Sequence, residues 1–105
     1  MSPIQNFGEF ISLDEALKYV SDFRKRNPDA IKAYTADGDK LQQVLLQKDC
    51  IGLRIYNGYS EKTGANNLVI LGVDSAQSDM VSGLILQRLE PCPPNCDPTS
   101  QLAKD

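Results

Sequence analysis

Cys50-Ile51-Gly52-Leu53-Arg54-Ile55-Tyr56-Asn57, followed after ten intervening residues by Leu68-Val69-Ile70-Leu71-Gly72-Val73-Asp74, decides the fold class. In the first run Ile51, Leu53 and Ile55 fall on one face and Arg54 and Tyr56 on the other, the two-residue period of a half-buried strand. The second run is almost continuously apolar, as strands in a sheet interior are. Gly58 to Asn67 between them is rich in Gly, Asn, Ser and Thr and reads as a mobile hairpin loop. Gly83 to Leu89 reads as a third strand, reached through a turn region from Asp74 to Ser82 with room for a helical turn near Asp79.

Upstream of this β-rich half the signals are helical. Ser12 followed by Glu15 is a capping box, which satisfies orphan backbone donors at a helix start. Leu13, Ala16, Leu17, Val20 and Phe23 then recur at helical spacing and leave Asp14, Lys18, Asp22 and Lys25 outward. Asn27-Pro28 stops the helix, because the residue before a proline is pushed out of the helical region. Ala30 to Thr35 alternates weakly and reads as a strand. Asp37 or Asp39 caps a second helix through about Lys48, with Leu41, Val44 and Leu45 as its apolar stripe. The expected fold is therefore α+β: a mainly antiparallel sheet of about four strands, two helices on one face, and a right-handed strand-helix-strand crossover.

The composition fits one small domain. Leu, Ile, Val and Phe supply 27 of the 105 residues, about a quarter and above the roughly one fifth below which chains stay disordered. The compact domain is expected over 1–90, with 91–105 as a tail, since Pro91, Pro93, Pro94 and Pro98 crowd into that end. The formal charge is −3 with no basic pole, and Arg24-Lys25-Arg26 falls at a helix end, where cations complement the dipole. Nucleic acid is therefore not an expected partner. No run approaches the roughly 20 apolar residues that span a bilayer, so no membrane is expected either.

Histidine is absent. That removes the usual general base, the commonest zinc ligand and every histidine-activated nucleophile. Gly58 to Gly64 lacks the Gly-Lys-Ser/Thr of a phosphate loop, and Asp37-Gly38-Asp39 lacks the other ligands of a calcium loop. Asp74 and Asp79 read as turn residues without a carboxylate partner. No cofactor and no metal is implied.

Cys92-Pro93-Pro94-Asn95-Cys96 is the most distinctive stretch. Three cysteines without a recognisable export signal indicate a cytoplasmic chain, so this pair is expected as reduced structural or tail thiols. A local disulfide or redox dithiol is the second reading and a metal site the third. Against both stand the three intervening residues, the acidic neighbours Glu90 and Asp97, and the lack of further ligands. Cys50 begins one strand of a meander and cannot join the pair unless the tail folds back. The prolines favour an extended, polyproline-like course, ready to lie in a groove or to cover a sheet edge.

The elements Gly52-Leu-Arg-Ile-Tyr-Asn-Gly58, Leu68-Val-Ile-Leu-Gly-Val-Asp74 and Pro91-Cys-Pro-Pro-Asn-Cys96, in that order, resemble a family of small uncharacterised proteins of Bacteroidetes-type bacteria. The likeness spans roughly residues 12–97. It implies no activity and no catalytic residues, and it singles out Arg54, Tyr56, Asp74, Asp79, Cys92 and Cys96 for testing. The expected function is a non-catalytic module that binds a protein partner or a second copy of itself. Arg54 and Tyr56 on the sheet face and Pro93 and Pro94 in the tail would make the contacts. The alternative is a thiol site at Cys92 and Cys96. A hydrolase or isomerase working through carboxylates is a third reading.

Overall fold

The ten backbone pairs between Cys50–Ser60 and Ala65–Asp74 are the framework of the computed structural model, which describes residues 7–103. The elements are α1 (Leu13–Arg26), β1 (Ala33–Thr35), α2 (Gly38–Leu45), β2 (Cys50–Ser60), β3 (Ala65–Asp74), β4 (Ile85–Leu86) and β5 (Glu90–Cys92). The α+β class and the antiparallel pairing follow the sequence reading. The strands, however, divide between two sheets, β2-β3-β4 and β1-β5, rather than joining in one of about four. The described residues accordingly form two compact units, Phe7 with Ala36–Leu89, and a second one joining Gly8–Thr35 to 90–103.

In the first unit, β2 and β3 run further than expected, because Gly58 to Asn67 is mostly strand. Gly58 pairs with Asn67, Tyr59 with Asn66 and Ser60 with Ala65. A backbone ladder does not require apolar side chains, and the tight turn propagates it. Gly64 takes φ +70, open to glycine, and its N–H donates to the Ser60 carbonyl at 2.8 Å. At Gly58 the Asn67 side-chain oxygen lies 2.5 Å from where a Cβ would stand, so a side chain there would displace the end of Asn67. A bulge between Cys50 and Gly52 interrupts the alternation at Ile51, so the simple two-face pattern holds only from Gly52 onward.

The third strand is shorter than read, only Ile85–Leu86, paired with Leu71 and Ile70. Two local features cut it back. The Leu84 N–H donates to the Gln47 side-chain oxygen at 2.9 Å, and Arg88 at φ +66 turns the chain out of extended conformation. Helix α2 ends at Leu45 rather than near Lys48, and Gln47 ties its end down by donating to the Val44 carbonyl at 2.9 Å. Its start is as expected, with the Asp37 carboxylate accepting the Asp39 N–H at 2.9 Å. Val44, Ile70, Leu71 and Val73 are the buried side chains of this unit.

The second unit corrects the expected crossover. β1 pairs antiparallel with β5, placing Ala33 opposite Cys92, Tyr34 opposite Pro91 and Thr35 opposite Glu90. It therefore does not join β2, and β1-α2-β2 is not a strand-helix-strand unit of one sheet. Pro91 is accommodated because each strand of a two-stranded ribbon has an unpaired edge. Helix α1 starts and stops as read: Ser12 Oγ accepts the Glu15 N–H at 3.1 Å, and the Asn27 N–H donates to the Phe23 carbonyl at 2.9 Å. None of its residues is buried. Among the described residues of this unit, the buried apolar side chain is that of Cys92. No described helix is long and apolar enough to cross a membrane.

Candidate functional site

Strand alternation puts Arg54 and Tyr56 on one face of β2, opposite Leu71 and Val69 of β3. Beyond β3, the chain returns and Asp79 forms a bridge with Val73, which brings the Asp79 carboxylate to Arg54 and Tyr56. One carboxylate oxygen accepts from Arg54 Nη1 at 2.7 Å, and the other accepts from the Tyr56 hydroxyl. Arg54 also reaches the Gln77 carbonyl at 3.5 Å. The sequence reading looked for a carboxylate partner to Asp79 and named none. Its partners are a cation and a phenol, not a second carboxylate. The signal in the sequence is an Arg and a Tyr two apart on a strand, with an acid in the connection that follows β3.

Asp74 organises the turn that delivers Asp79. Its side chain accepts the N–H groups of Ala76 and Ser78, each at 2.9 Å. That pattern is an Asx turn, rather than the helical turn expected near Asp79. Gln77 sits in the left-handed region at φ +63 within it.

The electrostatics of the cluster are self-satisfied. The Tyr56 hydroxyl and then the Arg54 guanidinium hold the Asp79 carboxyl below its ordinary range. The bond to Asp79 raises the Tyr56 phenol, and the same carboxylate raises Arg54 further. Asp79 is thus held ionised, Tyr56 protonated and Arg54 charged across the neutral range, whereas a general acid or base works best with a value near the operating pH. The arrangement clamps the turn between β3 and β4 onto β2.

The outer side of β2 is a different kind of surface. Strand order β2-β3-β4 leaves β2 with one neighbour along its eleven residues. Among the described residues no backbone group from Ile51 to Tyr59 has a bonding partner outside β3, apart from the Gly52 carbonyl that accepts from Cys50 Sγ at 3.3 Å. Beside this open edge Ile55 is 56% exposed and Tyr59 62%. The reading of the sequence found the face but missed the edge, because a β1 placed in the same sheet left open which strand lay outermost.

In the other unit, Cys92 and Cys96 form a disulfide, with their Cα atoms 4.8 Å apart. The expectation of reduced thiols is overturned. The physical reason is the anchoring of Cys92 in β5 while the chain turns back: Asn95 N–H donates to the Pro91 carbonyl at 3.0 Å. The tail is accordingly not an extended polyproline segment. Both Cys92-Pro93 and Pro93-Pro94 are cis, and both prolines are exposed at the loop tip. Asn95 braces the loop by donating to Glu90 at 3.1 Å. The two sulfurs are bonded to each other, so neither is a thiolate ligand. Among the described residues no group of three His, Cys, Asp or Glu side chains could hold a metal.

Beside the loop lies an open cleft of about 310 Å³, lined among others by Val20, Lys32, Thr35, Cys96, Asp97 and Leu102. The N–H and hydroxyl of Thr99 donate to Asp97 at 2.9 and 2.8 Å, and these bonds lower its carboxyl. Cys50 belongs to the first unit, half-buried and reduced. No family model, curated protein or solved structure matches the chain.

Proposed function

We propose that this chain is a small non-catalytic protein-binding or assembly module. Its contacts are the Arg54/Tyr56 side of the three-stranded sheet and, separately, the Cys92–Cys96 loop with Pro93 and Pro94 at its tip. The observation that carries the reading is the outer edge of β2, whose backbone from Ile51 to Tyr59 has, among the described residues and apart from the Gly52 carbonyl, no partner beyond β3, with Ile55, Tyr56 and Tyr59 exposed beside it. Unpaired N–H and C=O groups next to apolar side chains are what an added strand takes up. The Arg54–Asp79–Tyr56 cluster supports the same reading, since it is built to hold shape rather than to move a proton. A cytoplasmic placement goes with reduced thiols, and the disulfide favours an oxidising compartment instead. The binding surfaces are the same in either.

The test is affinity capture with the full chain from its source cells, comparing the wild type with Ile55→Lys, Arg54→Ala and the double change Pro93→Ser/Pro94→Ser. Loss of captured protein in at least one variant is the expected result. An unchanged set of partners across all of them defeats the reading.

One observation favours a second reading, a redox dithiol. Cys92 is 5% exposed while Cys96 is half-exposed, so an attacking thiolate reaches the Cys96 sulfur and Cys92 leaves. Intact mass after treatment with a dithiol and reoxidation tests it, since one disulfide changes the mass by about 2 Da. A pair that stays oxidised in the folded protein at any dithiol concentration rules this reading out.

A further inference from the structure

We infer that the occupant of the β2 edge is a second copy of this chain, paired antiparallel across a two-fold axis at Ile55. The inference rests on the binding reading above and names its partner. A two-fold axis perpendicular to the sheet keeps the same face up in both copies, so residue pairs across the seam must sum to an even number. Centred on Ile55, the run Gly52-Leu-Arg-Ile-Tyr-Asn-Gly58 is matched to itself. Gly52 meets Gly58, Leu53 meets Asn57, Arg54 meets Tyr56 and Ile55 meets its own counterpart.

The neighbouring registers are worse for stated reasons. Centring on Arg54 sets two guanidinium groups directly opposite each other, which is destabilising. Centring on Tyr56 sets Ile55 against Asn57 and Arg54 against Gly58, and so gives up the apolar pair. At Ile55 the two Arg54 side chains are diagonal neighbours, and each already has its own Asp79 at 2.7 Å. Arg54 is also the one charged residue between Cys50 and Ser60, so the seam carries no acidic side chain to repel its counterpart.

Of the usual protections the edge carries one charge, Arg54, and that charge is already paired with Asp79. Long edge strands are normally guarded by lysine, proline or a mid-strand bulge. β2 has no lysine and no proline, and its bulge lies at the extreme Cys50/Gly52 end. Pairing would convert two three-stranded sheets into one continuous sheet of six and cover Ile55, which is 56% exposed in the single chain.

Sedimentation equilibrium of the full chain over a concentration series is the test, with Ile55→Lys, Ile55→Thr and, in a Cys50→Ser background, Ile55→Cys. The expected result is a reversible dimer of twice 11.6 kDa. Ile55→Lys should weaken it at least 100-fold and Ile55→Thr by less, with the circular dichroism of the monomer unchanged. Under mild oxidation Ile55→Cys should cross-link two copies, while Tyr59→Cys in the same background should not. A dimer indifferent to Ile55→Lys, or a cross-link favoured at Tyr59→Cys, overturns the inference. A wild type that stays monomeric at every concentration overturns it too. In that last case the capture experiment separates the two levels: variant-dependent capture of a different protein leaves the binding reading standing, and an unchanged set of partners across all the variants removes both.

Discussion

The two units of this chain hold themselves together by different means. The sheet unit has a long hairpin ladder, four buried apolar side chains on α2 and β3, and a clamp of Arg54, Asp79 and Tyr56. The other unit has a three-rung ribbon, a helix with no buried residue and, among its described residues, one buried apolar side chain, that of Cys92. That buried side chain is also half of a disulfide. Small bodies that cannot remove enough apolar surface from water need a covalent or metal staple. Within one chain of 105 residues, the difference shows where burial suffices and where it does not.

The largest effect should come from the sheet unit's core. Leu71 is 4% exposed at the centre of β3, with neighbours on both sides in Arg54 and Ile85. Leu71→Ala removes three carbons and leaves a cavity, at a cost of about 3 kcal/mol. Chemical denaturation should show that loss, and hydrogen exchange should show it in the amides of 50–74. If exchange in Gly8–Thr35 accelerates by the same factor, the two units unfold as one and the contrast between their supports loses its meaning.

The second effect is the converse. Cys96→Ser opens the disulfide, whose partners are four residues apart. Closing so short a loop removes relatively little entropy from the unfolded chain, and the expected loss is about 2 kcal/mol. The consequence should nonetheless be local and large, because little else supports that unit. The Lys32 N–H, which donates to the Cys92 carbonyl at 2.7 Å, is the amide to follow. Protection there should fall while the amides of β3 keep theirs. Unchanged protection at Lys32 would mean that the ribbon and α1 suffice without the staple.

The same division governs how much the residues reveal by themselves. β2, β3 and α1 were legible because each carries its own periodicity: alternation for Leu53 to Tyr56, an apolar run for Leu68 to Val73, and a capped stripe for Leu13 to Phe23. The pairing of β1 with β5 was not, since three residues such as Ala33-Tyr34-Thr35 have no period long enough to name a partner. The disulfide was obscured by reading compartment before geometry. Compartment says nothing of a particular pair, whereas the turn that brings Cys96 back to Cys92 is a local backbone matter. In the candidate site, Arg54 and Tyr56 could be placed on one face from alternation alone. Asp79 could not, because its approach depends on the Asx turn at Asp74 and the bridge to Val73.

The smallest effect, and the one that best sharpens the contrast, is the pH dependence of the clamp. Arg54 and Asp79 are partly exposed, at 40% and 22% of their side-chain surface, and ion pairs of that kind contribute little in neutral solution. Their signature is where the contribution disappears. The folded Asp79 carboxyl lies below its unfolded value, so its stabilisation is fully present above the ordinary carboxylate value of about 4 and is lost as pH falls through the folded one. Tyr56 has the opposite sign. Its phenol is raised on folding, so its contribution is present below about 10 and is lost as pH rises through the folded value. Denaturation midpoints of the wild type and Asp79→Asn should therefore differ by a constant amount through neutral pH and converge only in acid, below the range where the exposed carboxylates titrate. Tyr56→Phe should converge with the wild type only in strong alkali. A gap between wild type and Asp79→Asn that closes between pH 5 and 7 would show that the carboxylate is not held by Tyr56 and Arg54. The sheet unit would then rest on burial alone, without a clamp to set beside the staple of its neighbour.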